Sequence, residues 1–157
     1  MPSPGISYRL VPGVRQSARR GIGFLEGHSE LNAGPEFDAL TVKTRNDLLT
    51  FMQEWVNGQR IPDTRFHEFK SKPRYRDCVV FKPRGGKRES KQDRYYGYIC
   101  HPSSERRFQA CVLCISAEKD QMATDDAELE RVIQWQATSA AVAAVNMRYP
   151  KPGGPTQ

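Results

Sequence analysis

The sequence lacks any long hydrophobic run. Its longest small-apolar stretch, Ala140 to Val145, falls far below the roughly 20 residues that a membrane-spanning helix needs. No membrane association is expected. The opening MPSPGISYRLVPG holds no apolar run of useful length ahead of Arg19 and Arg20, so no signal peptide is expected and the cytoplasm is the default compartment. Histidine is scarce, with three residues, and the four cysteines form one CxxC string, Cys111 and Cys114, with no second CxxC and no HxxxH. Within the run QACVLCIS the pair falls on an expected strand, where an odd spacing sends the side chains to opposite faces. Neither a metal nor another cofactor is expected, and Cys78, Cys100, Cys111 and Cys114 read as small core residues of a reducing compartment. Internal repeats are also absent.

What the chain has is charge, unevenly placed. Its 157 residues suit one domain with tails, and the net charge of +6 with a pI near 9.3 points to a polyanion or an acidic protein as partner. From Gln59 to Arg107 there are 14 Lys and Arg against 6 Asp and Glu, an excess larger than that of the whole chain. An acidic segment follows, with Asp120, Asp125, Asp126, Glu128 and Glu130. Tyrosine and histidine interleave with the basic residues, the pairing of chemistries that phosphate binding and base stacking require together.

Residues 1–35 read as a partly irregular arm, with ISYRLV as a possible strand and VRQSARRGIGFLEG as a possible short helix broken by glycines. From Glu36 to Val56, Phe37, Leu40, Leu48, Phe51, Met52, Trp55 and Val56 recur at helical spacing, and Gly58 with Pro62 ends the run. Three β-prone runs follow, Tyr75 to Lys82, Arg94 to His101 and Phe108 to Ala117, separated by the PRGGKRESKQD loop and a PSSER turn. The near-continuous VLCIS suggests a central strand covered on both faces. A last helix begins near Thr124, a cap candidate, with Asp125 and Asp126 at its positive end and Leu129, Val132, Ile133 and Gln136 on one face. The expected fold class is α+β: an N-terminal helical segment packed on a small antiparallel sheet with a closing C-terminal helix. The expected division is an arm (1–35), a core domain (36–140) and a breaker-rich tail (141–157).

This order of elements resembles the core of the RelE/ParE superfamily of bacterial toxins, including its HigB-like branch, over roughly residues 36–136. FDALTVKTRNDLLTFMQEWVNG is similar to the family's second helix and RIPDTRFHEFKSKPRYRDCVVFK to the link into its first core strand. DRYYGY resembles the second core strand, FQACVLCISAEKD the last strand with its terminal Lys, and TDDAELERV the helix beyond it. The resemblance implies a ribosome-associated mRNA endoribonuclease acting by metal-independent 2′-OH attack, held in check by an acidic antitoxin protein. Such chemistry needs a base, an acid and cationic donors around the phosphate.

The candidate catalytic residues are His67, Arg74, Arg76, Arg94 and Lys119, the last as the implied strand-terminal Lys. Arg74 and Arg76 stand two apart on an expected strand edge and so share a face, with Arg94 opening the neighbouring strand to meet the same phosphate. His67 is the acid or base and His101 the reserve. Lys70, Lys72, Lys82, Arg84, Lys87, Arg88, Tyr95, Tyr96 and His101 are the candidate RNA contacts, with one of the two adjacent tyrosines packed inward and the other available to stack on a base. The competing reading is a non-catalytic basic module with the toxin fold, either an inhibitor of a host enzyme such as gyrase or a structural subunit of a nucleoprotein assembly.

Overall fold

Strand alternation along RGIGFLE sets the architecture, because it places Ile22 and Phe24 on one face and Gly21, Gly23 and Leu25 on the other. The computed structural model describes residues 5–83, 91–120 and 123–150. In it RGIGFLE is β2 (Arg20–Glu26), preceded by β1 (Ser7–Leu10). The helix expected over VRQSARRGIGFLEG is therefore corrected to a loop followed by a strand. Glycine at 21 and 23 acts as a socket rather than a breaker. A Cβ on Gly23 would lie 2.6 Å from the Tyr8 ring, and one on Gly21 2.3 Å from the Tyr149 hydroxyl.

Two helices follow, α1 (Ala33–Asp38) and α2 (Val42–Val56). The single helix expected from Glu36 divides because Thr41 turns extended and its side chain accepts from the Thr44 amide, capping α2. Then come β3 (Phe66–Glu68), β4 (Cys78–Phe81), β5 (Lys91–Cys100) and β6 (Gln109–Asp120), and finally α3 (Asp126–Gln136) and α4 (Ser139–Arg148). The first of the three expected strands is shorter than anticipated, since Pro73–Tyr75 form a 3-10 turn. The helix expected near Thr124 as the closing one starts at Asp126, with Asp125 rather than Thr124 at its N-cap, and is followed by a further helix, α4.

The chain is thus mixed α and β, with a sheet larger than the sequence suggested. Its six strands run in the order β1-β2-β6-β5-β4-β3, and all neighbours are antiparallel except β2 and β6. Residues 7–26, read as an arm, supply two of these strands. β6 is the central strand expected from VLCIS: Ala110 to Cys114 are wholly shielded from solvent. Helices cover both faces. Phe37, Leu48, Met52 and Trp55 of α1 and α2 pack on Ile22, Phe24, Val79, Phe81, Tyr95 and Leu113, while Leu129, Val132, Ala141 and Val145 of α3 and α4 pack on Val80, Tyr96, Tyr98 and Val112. Among the described residues no helix is long and apolar enough to cross a membrane.

One irregularity tunes the sheet. Tyr96 pairs with Ile115 but Gly97 pairs with Leu113, so Cys114 is an extra residue on β6 and forms a bulge. Alternation holds from Cys111 to Cys114, which fall in the two opposite cores as their odd spacing implied, and the bulge then leaves Cys114 and Ile115 on one face. Glycine is required at the bulge: a Cβ on Gly97 would stand 2.2 Å from the Val112 carbonyl oxygen and 2.9 Å from Leu113 Cα, both backbone atoms with little freedom to retreat. Gly97→Ala should lower the unfolding free energy by at least about 1–3 kcal/mol in a denaturant titration, the scale of a forced overpacking. Burial also pushes the Cys78 and Cys100 thiols up to about 12, and raises Cys111 and Cys114 as well. At pH 8 the thiolate fraction of Cys78 and Cys100 is on the order of 10⁻⁴, so a thiol reagent should react slowly with the native chain, first at the half-buried Cys100, and count four thiols after guanidinium.

Candidate functional site

Because helices close both faces of the sheet, the open ground lies at the strand ends. At one end β2 and β6 begin together, Arg20 beside Gln109. β5 finishes there, with Cys100 beside Ala110, β4 begins, with Cys78 beside Tyr98, and β3 finishes, with Glu68 beside Val79. Two adjoining hollows of about 450 and 410 Å³ open along this end, and both are walled by Arg20, Glu68 and Lys70. Trp55, Ile61 and Phe66 give the first its apolar floor, and Val79, Ile99 and Cys100 that of the second.

Arg20 is the fixed point of the shared wall. Its Nη1 donates to the Trp55 carbonyl at 2.7 Å, and its guanidinium carbon lies 4.7 Å from the centre of the Trp55 ring. Lys70 is exposed and pairs with Glu68 at 2.8 Å. His67 and Arg60 line the first hollow, Arg76 and His101 the second. His67 meets the Phe69 ring edge-on at 4.7 Å, and His101 Nδ1 donates to the Phe108 carbonyl at 2.9 Å, which fixes its ring. Asp77 accepts from Gln136 Nε2 at 3.4 Å.

The structure therefore gathers His67, Lys70, Arg76 and His101 along one groove. It sends the other described candidates elsewhere. The 3-10 turn at Pro73–Tyr75 removes Arg74 from the strand edge it was expected to share with Arg76, and Arg74 instead makes a two-pronged contact with Glu130 of α3. Lys72 pairs with Asp126 at 2.9 Å, and Lys119 with Glu128 at 2.6 Å while also donating to the Thr124 carbonyl. The hydrogen bond from Arg74, then that from Tyr75, holds the Glu130 carboxyl below its ordinary range, and the Glu130 bond raises Arg74 in turn. The acidic stretch after the basic one is folded back onto it.

Arg94 departs furthest from its expected role. It is 1% exposed, with Nη1 donating to Asp125 at 2.6 Å and to the Ala123 carbonyl, and Nη2 to the Asp120 carbonyl. Tyr96 donates its hydroxyl to the same Asp125. The expectation that Arg76 and Arg94 face one phosphate fails, because one is at the groove and the other is sealed under the β6–α3 connection. Tyr95 and Tyr96 are both buried, in opposite cores, so neither stacks on a base, and burial raises both phenols. Lys82 is half-buried beyond the end of β4, where burial and then Arg94 lower its pKa. Arg84, Lys87 and Arg88 lie outside the described residues.

The sequence reading passed over Arg20, Arg60, Asp63, Glu68 and Asp77. Arg20 was noticed within the Arg19–Arg20 pair, but only recognising GIGF as a strand start would have placed it at a sheet end. Among the described residues no group of His, Cys, Asp or Glu is arranged to hold a metal ion. Compared with family models, curated proteins and solved structures, the chain finds no match.

Removing one partner of a buried ion pair leaves the other charge stranded at a cost of about 3–5 kcal/mol. Arg94→Ala and Asp125→Ala should each lower the melting temperature sharply, whereas Arg76→Ala at the exposed groove should leave it within about 1 °C of the parent, given the small effect of surface substitutions. Equal melting of Arg94→Ala and the parent chain would contradict the buried-pair assignment.

Proposed function

We propose that the chain is a non-catalytic RNA-binding module, a narrower form of the basic non-catalytic module that its sequence offered as the competing reading, and that it grips RNA along the strand-end groove. The observation that carries this is how its cations divide. Lys72, Arg74, Arg94 and Lys119 are paired with the carboxylates of Asp125 to Glu130. Arg76 stands exposed at the groove beside the half-buried Arg20 and the exposed Lys70, which pairs locally with Glu68 of the same wall rather than with α3, and Arg19, Arg106 and Arg107 are exposed on the loops that lead into β2 and β6 at the same sheet end. An exposed array of this kind attracts phosphate, and a guanidinium already held by the ring and carbonyl of Trp55 loses little freedom on binding it. The acidic surface expected of an antitoxin is partly supplied by the chain's own α3. Membership of the RelE/ParE superfamily remains part of the proposal, supported by the order α2, β4, β5, β6, α3.

A nuclease reading draws on one observation, that His67 and Lys70 line the same hollow. A second catalytic imidazole is not beside it, since His101 lines the other hollow. Fluorescence anisotropy with a labelled single-stranded RNA tests both readings in one tube. We expect binding that weakens about tenfold in the Lys70→Ala, Arg76→Ala double variant with unchanged melting, and RNA recovered at full length. Undiminished affinity in the double variant would remove the groove from the account. Cleavage that His67→Ala abolishes would restore the nuclease.

A further inference from the structure

The two hollows repeat one chemical inventory. Arg60, Asp63 and His67 line the first and not the second; Arg76, Asp77 and His101 line the second and not the first. Each hollow thus has one guanidinium, one carboxylate and one imidazole of its own, over an apolar floor, and the two sets flank the shared wall of Arg20, Glu68 and Lys70. A site built twice in series fits a ligand that is itself a repeat.

The carboxylates decide which repeat. Across both hollows four fixed cations face three carboxylates, Asp63, Glu68 and Asp77. A track for a continuous phosphate backbone gains nothing from carboxylates, which repel phosphate. A carboxylate accepts hydrogen bonds from the amino group of a base or from a ribose hydroxyl. Cations and carboxylates therefore serve different parts of one ligand, phosphates and bases in alternation. The hollow volumes, within the range of small-ligand pockets, suit one nucleoside each. A base can enter such a hollow only when unpaired and unstacked from its neighbour.

On the reading that the groove binds RNA, we infer that it takes two consecutive nucleotides of single-stranded RNA, one base in each hollow, with the linking phosphate on Arg20 and Lys70 and the outer phosphates on Arg60 and Arg76. Asp63 and Asp77 then favour bases carrying an exocyclic amine, so cytosine is preferred over uracil. Three phosphate contacts to a single strand correspond to a log–log salt slope of about −2. That is far shallower than the full basic stretch would give if all its charge met RNA.

The test uses the full chain and labelled rC6, rU6 and a 12-base-pair RNA duplex, titrated at several salt concentrations. We expect rC6 to bind about tenfold more tightly than rU6 or the duplex, with a slope near −2. The Asp63→Asn, Asp77→Asn double variant should lose the preference for rC6 over rU6, since an amide offers its own donors in place of an acceptor-only group. Equal binding of rC6 and rU6, or a duplex bound as tightly as rC6, overturns the two-nucleotide site while leaving the RNA reading standing. Absence of binding to every RNA overturns both.

Discussion

The Arg94–Asp125 pair is the constraint on which the arrangement of charge depends. It joins the middle strands to the residue that opens α3, with Arg94 buried and Asp125 largely so, where neither partner tolerates loss of the other. Buried pairs add little net stability over apolar packing; their contribution here is orientation. With Asp125 fixed by Arg94 and Tyr96, the next turns of α3 carry Asp126, Glu128 and Glu130 onto Lys72, Lys119 and Arg74. Leu129 and Val132 face the core from the same helix. Basic and acidic blocks that look separate in the sequence thereby meet on one surface, while Lys70 and Arg76 stay exposed at the groove at the strand ends.

The legible parts of the fold were those whose signal is local. α2 shows its buried stripe of Leu48, Met52, Trp55 and Val56 within fifteen residues, and β6 its apolar run within five. The parity of Cys111 and Cys114 needed only strand geometry. β2 was illegible because Gly21 and Gly23 make sense only beside rings from Tyr8 and Tyr149, and the second of these is more than 120 residues away. α4 hid in an alanine-rich run with only a weak amphipathic pattern, close to the breakers of the tail.

The same distinction separates the visible from the hidden in the candidate site. Composition revealed that the chain is basic, and His67, Lys70, Arg76 and His101 do line the groove. Which cations would be neutralised was not readable, because the partners lie 31 to 56 residues apart for Arg94 and Arg74. Tyr95 and Tyr96 misled for a different reason. Alternation correctly sends adjacent strand residues to opposite faces, but in a sheet covered on both sides each face is a core.

The seam between β2 and β6 bears on how the chain is made. Ile22 pairs with Cys111, the Tyr8 hydroxyl donates to the Cys111 carbonyl, and Tyr8 and Tyr149 meet hydroxyl to hydroxyl at 3.0 Å. During synthesis the β1–β2 ribbon leaves the ribosome with its inner edge bare, and its partner emerges almost ninety residues later. At the pace of translation, about 5–20 residues per second, that edge waits several seconds for β6 and longer for Tyr149 to seat over Gly21. Until then its backbone donors and acceptors are open to any other strand, so nascent chains are most vulnerable to misassembly at an edge that the finished sheet closes with its central strand.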